Sequence, residues 1–318
     1  MKRGLNNGDE LKSISAIVIN RNGGSALLRC LESLAGQEDP VLEVLVIDND
    51  SSAAERDEVR RRFPEVRLVG FSSNLGFARA VNEGISRTSG RFVLTVNNDA
   101  RLSPAYAGRL ARLLASDDRA AGAQGVVLED DGTAIDTAGL SWNARGEAVP
   151  FLAGREPSAG PSAAVEVPGI SATAALYRRA ALESVAENGM VFDSSFFAYY
   201  EDVDLSLRLA REGWRFTLDP GAVAYHEGSL TGRRTPWRRA LWTSRNRWKT
   251  LLKNFDRSFL RRRLGSLLSA DLAHARAVGW PGIARPVLVW PAAAIRALAT
   301  RPEATRLTGF PVCSAAGK

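Results

Sequence analysis

The chain has 318 residues, 45% hydrophobic and 24% charged, with two cysteines and a formal net charge of +7. That length and balance suit one large α/β domain with an appendage, or two smaller domains. They exclude wholesale disorder, a disulfide framework and a cysteine-based zinc site, and they fit a reducing compartment. No apolar run approaches the ~20 residues that span a bilayer, and the polar opening "MKRGLNNGDELKS" does not read as a signal peptide. The basic excess lies mainly between Arg233 and Arg263, and it favours a polyanionic partner: nucleic acid, nucleotide phosphates or an anionic membrane surface.

Strand and helix signals alternate through the first part. "ISAIVIN" (14–20) predicts a buried strand, and "SALLRCLESLAGQ" a helix with Ser25 as N-cap and Gly36 as stop. "LEVLVIDND", "VRLVGF" and "RFVLTVNND" predict three more strands, with helices over "SSAAERDEVRRRF" and "GFARAVNEGISRTSG" between them. Short strand–helix units of this kind argue for an open parallel sheet with helices on both faces. Its ligand would sit at the carboxyl ends of the strands. The polar tips Asn20–Arg21–Asn22, Asp48–Asn49–Asp50 and Asn97–Asn98–Asp99 are therefore expected to lie close together. The region from about 120 to 165, rich in Gly, Pro, Ala and Ser, predicts a few short strands and a long mobile loop. A strand and a helix follow in "VPGISATAALYRRAALESV", and "WRFTLDPGAVAYHEG" reads as two short strands about an Asp-Pro-Gly turn. From about Gly232 onward come helices carrying Arg and Trp, with later Pro breaks.

Several residues have side chains suited to chemistry. Asp99 at a strand end could hold Mg²⁺ or Mn²⁺, which take oxygen ligands and substrate phosphates, or could cap a turn. Asp48 could accept from a ribose or base, or form an Asx-turn. Asn74 and Gly76 precede a helix whose N terminus could offer N–H groups to phosphate; the alternative is a turn glycine before a solvated face. His226 could ligate a metal or be structural, and His274 reads as structural. In "FFAYYEDVDLSLRLAREGWR", Glu201, Asp202 and Asp204 fall in the first turn of a helix, where the macrodipole favours negative charge. Capping does not explain two adjacent carboxylates behind an aromatic run. Partial desolvation there would raise a carboxylate pKa, as a general base requires.

Taken in order, "IVINRNGG", "VLVIDNDSS", "NLGFARAVNEGI", "FVLTVNNDARLSP", "GISATAALYRRAAL" and "FFAYYEDVDLSLRLAREGWRFTLDPGAVAYHEGSLT" resemble the family-2 inverting glycosyltransferases. The resemblance runs over about residues 13–255 and is greatest to the rhamnosyltransferase group of bacterial cell-surface polysaccharide assembly. It implies a GT-A fold, with a Rossmann-like nucleotide-binding half and a mostly parallel sheet between helices. The expected organisation is a glycosyltransferase domain over 13–231, with a nucleotide-sugar half (about 13–120) and an acceptor half (about 121–231). A basic helical extension, 232–318, would follow. The donor pocket would draw on Asn20, Asn22, Asp48, Asn74, Gly76, Asn82 and Asn98. "NND" stands where the family has its DxD metal motif, which makes Asp99 the matching ligand of a divalent cation (Mg²⁺ or Mn²⁺). Asn97 replaces the first carboxylate, and His226 completes the site. Asp202 matches the general base, with Glu201 beside it.

The implied reaction is direct displacement at the anomeric carbon of a nucleotide-diphosphate sugar. dTDP-rhamnose is favoured, and UDP-linked galactofuranose, glucose or N-acetylhexosamine are the alternatives. The acceptor would be a glycan or a lipid-linked sugar, and the location cytoplasmic or peripheral at the inner face of the membrane. The Arg/Trp tail has an interfacial composition and points to an anionic membrane surface, although a solvated helical face or an intersubunit contact would look alike. No nucleic-acid partner is expected, since no standard motif appears. The contrasting readings are a non-catalytic sugar-nucleotide-binding protein, a nucleic-acid-binding protein and a nucleotidyltransferase.

Overall fold

The computed structural model describes residues 13–39, 41–228, 236–278 and 307–311. Its first strands are too apolar to leave a face in water. In β1 (Ile14–Asn20), β2 (Glu43–Asn49) and β4 (Phe92–Asn97), inward and outward side chains alike are largely buried, as a parallel sheet covered on both faces requires. With β3 (Arg67–Phe71) they form a parallel block in the order β3-β2-β1-β4. The sheet continues through β11 (Ala174–Arg178), β6 (Ala120–Glu129), β12 (Arg215–His226) and β10 (Val165–Val167). Of these, β11 runs antiparallel between β4 and β6, β12 runs parallel to β6, and β10 closes the edge antiparallel. Two short strands, β5 (Ala100–Leu102) and β7 (Ile135–Thr137), pair with β12 and β6, and β8 (Leu140–Trp142) and β9 (Ala148–Pro150) form a separate hairpin.

Helices cover both faces. On one side, α1 (Ser25–Ala35), α2 (Ala53–Arg62) and α4 (Tyr106–Ser116) bury Leu27, Leu31, Val59, Leu110 and Leu114 against Ala16, Val18 and Leu94. On the other, α3 (Phe77–Ser86), α5 (Arg179–Ser184) and α6 (Glu201–Arg211) pack Val81, Ile85, Leu182, Leu205 and Leu209 against Ile17, Ile47 and Val93. A third cluster joins α6 and the β8–β9 hairpin to α7 (Pro236–Asn254) and α8 (Arg257–Val278), through Trp142, Phe196, Leu207, Trp248, Leu251 and Phe255.

Three expectations need correction. The segment 120–129 is a ten-residue central strand, buried in all but its last position. Its small residues hid it: a Cβ on Gly125 would lie 2.1 Å from the Ala222 carbonyl oxygen, so β12 approaches too closely for anything but glycine. The Asp-Pro-Gly stretch does not separate two strands. It is a bulge inside β12, where the register against β6 slips between Asp219 and Val223, and Asp219 is held by a two-pronged pair with Arg109 at 2.9 and 3.0 Å. Ser25 is the first helical residue rather than the cap of α1, whose N-cap is Gly24 with no side-chain bond. The Gly23 and Gly24 N–H groups donate instead to the Glu55 carboxylate at 3.2 and 3.1 Å.

The acidic first turn of α6 also does more than cap. Asp204 is fully buried and accepts from Arg208 Nε (2.9 Å), Lys253 Nζ (3.0 Å) and Asn254 Nδ2 (2.9 Å), which ties α6 to α7. Removing one partner of a buried pair strands the other charge. Asp204→Ala is therefore expected to lower stability by about 3–5 kcal/mol, read as a fall in the urea midpoint. A change below about 1 kcal/mol would count against the hub, since that is what exposed pairs contribute.

Candidate active site

The carboxyl ends of β1, β2 and β4 meet as the topology requires. Asn98 Nδ2 donates to Asn20 Oδ1 (2.8 Å), Asn20 Nδ2 to Asp48 Oδ2 (3.2 Å), and Asn49 Nδ2 to Asn74 Oδ1 (2.9 Å). Beside them opens a pocket of about 450 Å³, lined by strand tips, the start of α6, the β8–β9 hairpin and the start of α7.

One part of the pocket gathers Asn97, Asn98, Asp99 and His226. His226 is the last residue of β12, and the pairing of β12 with β5 sets it opposite Ala100, next to Asp99. Its Nε2 lies 3.1 Å from Asp99 Oδ1 and 3.5 Å from the Asn97 amide, while Nδ1 is 2.9 Å from Asp136 Oδ2. Burial acts to lower the imidazole pKa, but the bonds to Asp136 and Asp99 outweigh it and hold it up at about 9. Asp136 orients the ring from its far nitrogen and leaves Nε2 and the Asp99 carboxylate side by side, as in metal sites where a carboxylate fixes a ligating histidine. A separation of 3.1 Å matches two neighbouring ligands of an octahedral cation at about 2.1 Å each. Among the described residues no three His, Cys, Asp or Glu form a complete ligand set, so substrate oxygens and water would supply the other positions. The residues fit a hard divalent cation on those terms, with Nε2 giving up its proton to bind it.

A second part is the start of α6. The preceding loop is strained: Phe197, Tyr199 and Tyr200 have φ of 65°, 68° and 71°, the left-handed region that costs about 1–3 kcal/mol for such residues. The loop is held from two sides. Towards the strand tips, the Phe77 and Ala78 N–H groups donate to the Phe197 carbonyl. Gly76, at φ +78°, lies so close that a Cβ would stand 2.6 Å from Phe197. From α7, the buried Asn246 donates from Nδ2 to the carbonyls of Phe196 (2.9 Å), Ala198 (2.8 Å) and Tyr199 (2.8 Å). The first N–H groups of α3 are thus spent on Phe197, which corrects the expectation that they are open to phosphate.

Helix α6 begins from that loop with Glu201 and Asp202, both lining the pocket. Asp202 is partly exposed, and its carboxylate accepts from Val203 N (2.8 Å) and Ala172 N (3.2 Å). Glu201 is 7% exposed, and its Oε2 has no hydrogen-bond partner among the described residues. Desolvation pushes both above the usual carboxylate range, and for Glu201 the charge of Asp202 adds to it.

Not every sequence candidate reaches the pocket. Asn74, Gly76, Asn97, Asn98, Asp99, Glu201, Asp202 and His226 line it; Asn20, Asn22, Asp48 and Asn82 do not. Asp48 is fully buried, and its carboxylate is taken by Asn20, the Ser51 N–H and Arg56. Asn82 spends its side chain on the backbone of Val191 and Phe192. Asn22 is exposed at φ 52°, with its N–H on Ser51 Oγ at 2.9 Å.

Residues 15–186, more than half of the chain, match the family described as glycosyl transferase family 2. The chain belongs to this family. The glycosyltransferase is similar to the N-acetylglucosaminyl-diphospho-decaprenol L-rhamnosyltransferase of Mycobacterium tuberculosis (strain ATCC 25618 / H37Rv). That protein is 29% identical over 251 residues, which cover 69% of this chain and 78% of the relative. The succinoglycan biosynthesis protein ExoO of Rhizobium meliloti (strain 1021) is 32% identical over 129 residues, 40% of this chain and 36% of that protein. Among solved structures, the mannosyltransferase PcManGT from Pyrobaculum calidifontis, in complex with GDP-Man and Mn²⁺, superposes with a TM-score of 0.57 at 18% identity, over 90% of this chain and 86% of that one. S. aureus TarS 1-349 gives 0.60 at 16% identity, over 90% and 81%. At those identities the likeness is one of fold, and the fold is GT-A.

Reading the glycosyltransferase from sequence missed Asp136, Arg239, Trp242 and Asn246, and named Asn49 only as part of a strand tip. Asn49 is buried and holds the 74–76 turn, accepting from Leu75 N at 2.6 Å; its place in "DND" was the available signal. Asp136 lies on a three-residue strand in the weakly patterned region and had no signal. The other three sit in "RRALWTSRNRWK", where the basic surplus masked them. Asn246→Ala would leave buried carbonyls unsatisfied at about 1–3 kcal/mol each and free the strained loop. The expected result is a lower thermal midpoint and a fall in kcat larger than any change in donor KM. Unchanged kcat in the folded variant would remove Asn246 from any role in placing Glu201 and Asp202.

Proposed function

We propose that the protein is an inverting glycosyltransferase with Asp202 as general base, moving a sugar, rhamnose first, from a nucleotide-diphosphate donor to a glycan or lipid-linked acceptor. The observation that carries this reading is the placing of two different chemistries in one pocket. An oxygen- and nitrogen-ligand pair, Asp99 and His226, lies with the donor loops, and a desolvated carboxylate on a pocket-lining helix start, Asp202, shares the cavity. Rhamnose is favoured because the Mycobacterium tuberculosis relative is named a rhamnosyltransferase.

In the reaction, the acceptor oxygen forms a bond to the anomeric carbon as the bond from that carbon to the diphosphate oxygen breaks. Attack from the face opposite the nucleotide inverts the configuration. Asp202 takes the hydroxyl proton. Its bonds from Ala172 N and Val203 N fix the carboxylate, and raised basicity suits it to accept a proton near neutral pH. Asp99 and His226 would hold a divalent cation, which when bound neutralises charge on the leaving diphosphate. Asn74, Gly76 and Asn98 shape the donor side. Glu201, buried with a free oxygen, keeps its proton to higher pH and can donate a hydrogen bond into the pocket. No described helix is long and apolar enough to cross a membrane. Contact with an anionic surface would fall to the exposed Arg261, Arg262 and Arg263 on α8.

Asp202→Asn is expected to keep donor binding, read as an unchanged thermal shift with the sugar nucleotide, and to cut transfer by about 10²–10⁴-fold. Transfer at the wild-type rate would refute the assignment. The base must be ionised to act, so activity should fall as pH drops through the raised pKa. The acid limb is therefore expected above the ordinary carboxylate value of about 3.9, and it belongs to the coupled Glu201–Asp202 pair. A rate that stays flat down to pH ~4 would contradict it.

A further inference from the structure

Two arginines line the pocket, and only one belongs with the donor loops. Arg21 follows β1 and lies 3.9 Å from Asp50. Arg239 is on α7, exposed, with its guanidinium 5.6 Å from the centre of the Tyr199 ring, and among the described residues no carboxylate pairs with it. Trp242 stands one helical turn further on, on the same side of α7. Its indole is 5.0 Å from the Phe197 ring and 6.4 Å from that of Tyr199. Three aromatic side chains thus make one wall, with a cation beside it, along the stretch of chain that leads into Asp202.

We propose that α7 builds the acceptor subsite, in which a sugar ring rests against Trp242 and Tyr199 and Arg239 grips a phosphate or diphosphate attached to that sugar. This deepens the glycosyltransferase reading given above and rests on it. Aromatic faces carry negative charge density that draws the C–H faces of a sugar ring, and Trp and Tyr offer wide, stiff surfaces at small entropic cost. A guanidinium presents forked donors that match phosphate oxygens. A neutral glycan end would give Arg239 no partner. A glycosyl phosphate or diphosphate would use both the wall and the cation, while its free hydroxyl meets Asp202. The diphosphate of the donor nucleotide is the other possible ligand of Arg239, and the test separates the two.

The probes are two acceptors sharing one terminal sugar: N-acetylglucosamine linked through diphosphate to farnesol, and its neutral octyl glycoside. Wild type, Arg239→Ala and Trp242→Ala would be compared in steady-state transfer and in direct calorimetric binding of each acceptor and of the donor nucleotide. The expected result is a wild-type preference of about tenfold or more for the diphosphate acceptor, the order of one charge-assisted contact. Arg239→Ala should lose most of that preference through acceptor KM, with donor KM unmoved. Trp242→Ala should weaken both acceptors alike. Three results would overturn the proposal: no wild-type preference, a rise in donor KM or loss of nucleotide binding in Arg239→Ala, or diphosphate-acceptor binding that does not depend on Arg239. Arg239-dependent acceptor binding without transfer by the wild type would fault the proposed reaction and still support the subsite.

Discussion

Residues 196–200 are the constraint on which the site depends. Three of these five residues are held in left-handed backbone that bulky side chains avoid. Such a run carries a steric cost that local bonds, such as that from Ala198 N to the Phe196 carbonyl at 2.8 Å, do not remove. It persists because α3 donates two N–H groups to the Phe197 carbonyl from one side and Asn246 donates to three carbonyls from the other. Tyr200 adds a third tether, its hydroxyl accepting from Ala148 N of the β8–β9 hairpin at 3.2 Å. The loop therefore fixes, in one place, the turn at Gly76, the first residue of α6 and the position of α7. Strain at such a point is characteristic of sites where geometry has to be held before a ligand arrives.

The three carboxylates that follow have three different environments. Successive residues on a helix point about 100° apart, so neighbours in sequence meet different surroundings. Glu201 lines the pocket almost wholly buried, with one oxygen lacking a partner among the described residues, Asp202 lines it partly exposed, and Asp204 enters the contact with α7, where Arg208, Lys253 and Asn254 satisfy it. The basic C-terminal segment divides in the same way. Arg247 is 2% exposed and binds Asp271 together with three backbone carbonyls, and Trp248 donates to the same Asp271 at 2.7 Å. Arg239 and Trp242 face the pocket, and only part of the charge is left for solvent. A count of positive residues thus overstates the surface charge that a partner would meet.

The alternation of β-branched runs with amphipathic segments determined the β1–β4 block, the helices that flank it and the convergence of its polar tips, because burial on both faces leaves a strong periodic signal. The sequence by itself also brought forward Asp99, His226, Glu201 and Asp202, each beside a strand or helix boundary. It could not separate residues that line the pocket from those that support it. Asp48 and Asn82 look like ligands in sequence and are consumed by neighbours in the fold. The central strand β6 fell in a loosely patterned region because its first half is mostly alanine and glycine, and Gly125 is set by the close approach of β12 and not by hydrophobic period. Only the tertiary structure decided that a helix beginning at Pro236 completes the pocket and anchors the start of α6. Contacts between Phe197 and Trp242, or between Tyr199 and Asn246, join positions far apart along the chain. No local pattern records such long-range pairings, because the side chains that make them are selected by shape and hydrogen bonding in three dimensions.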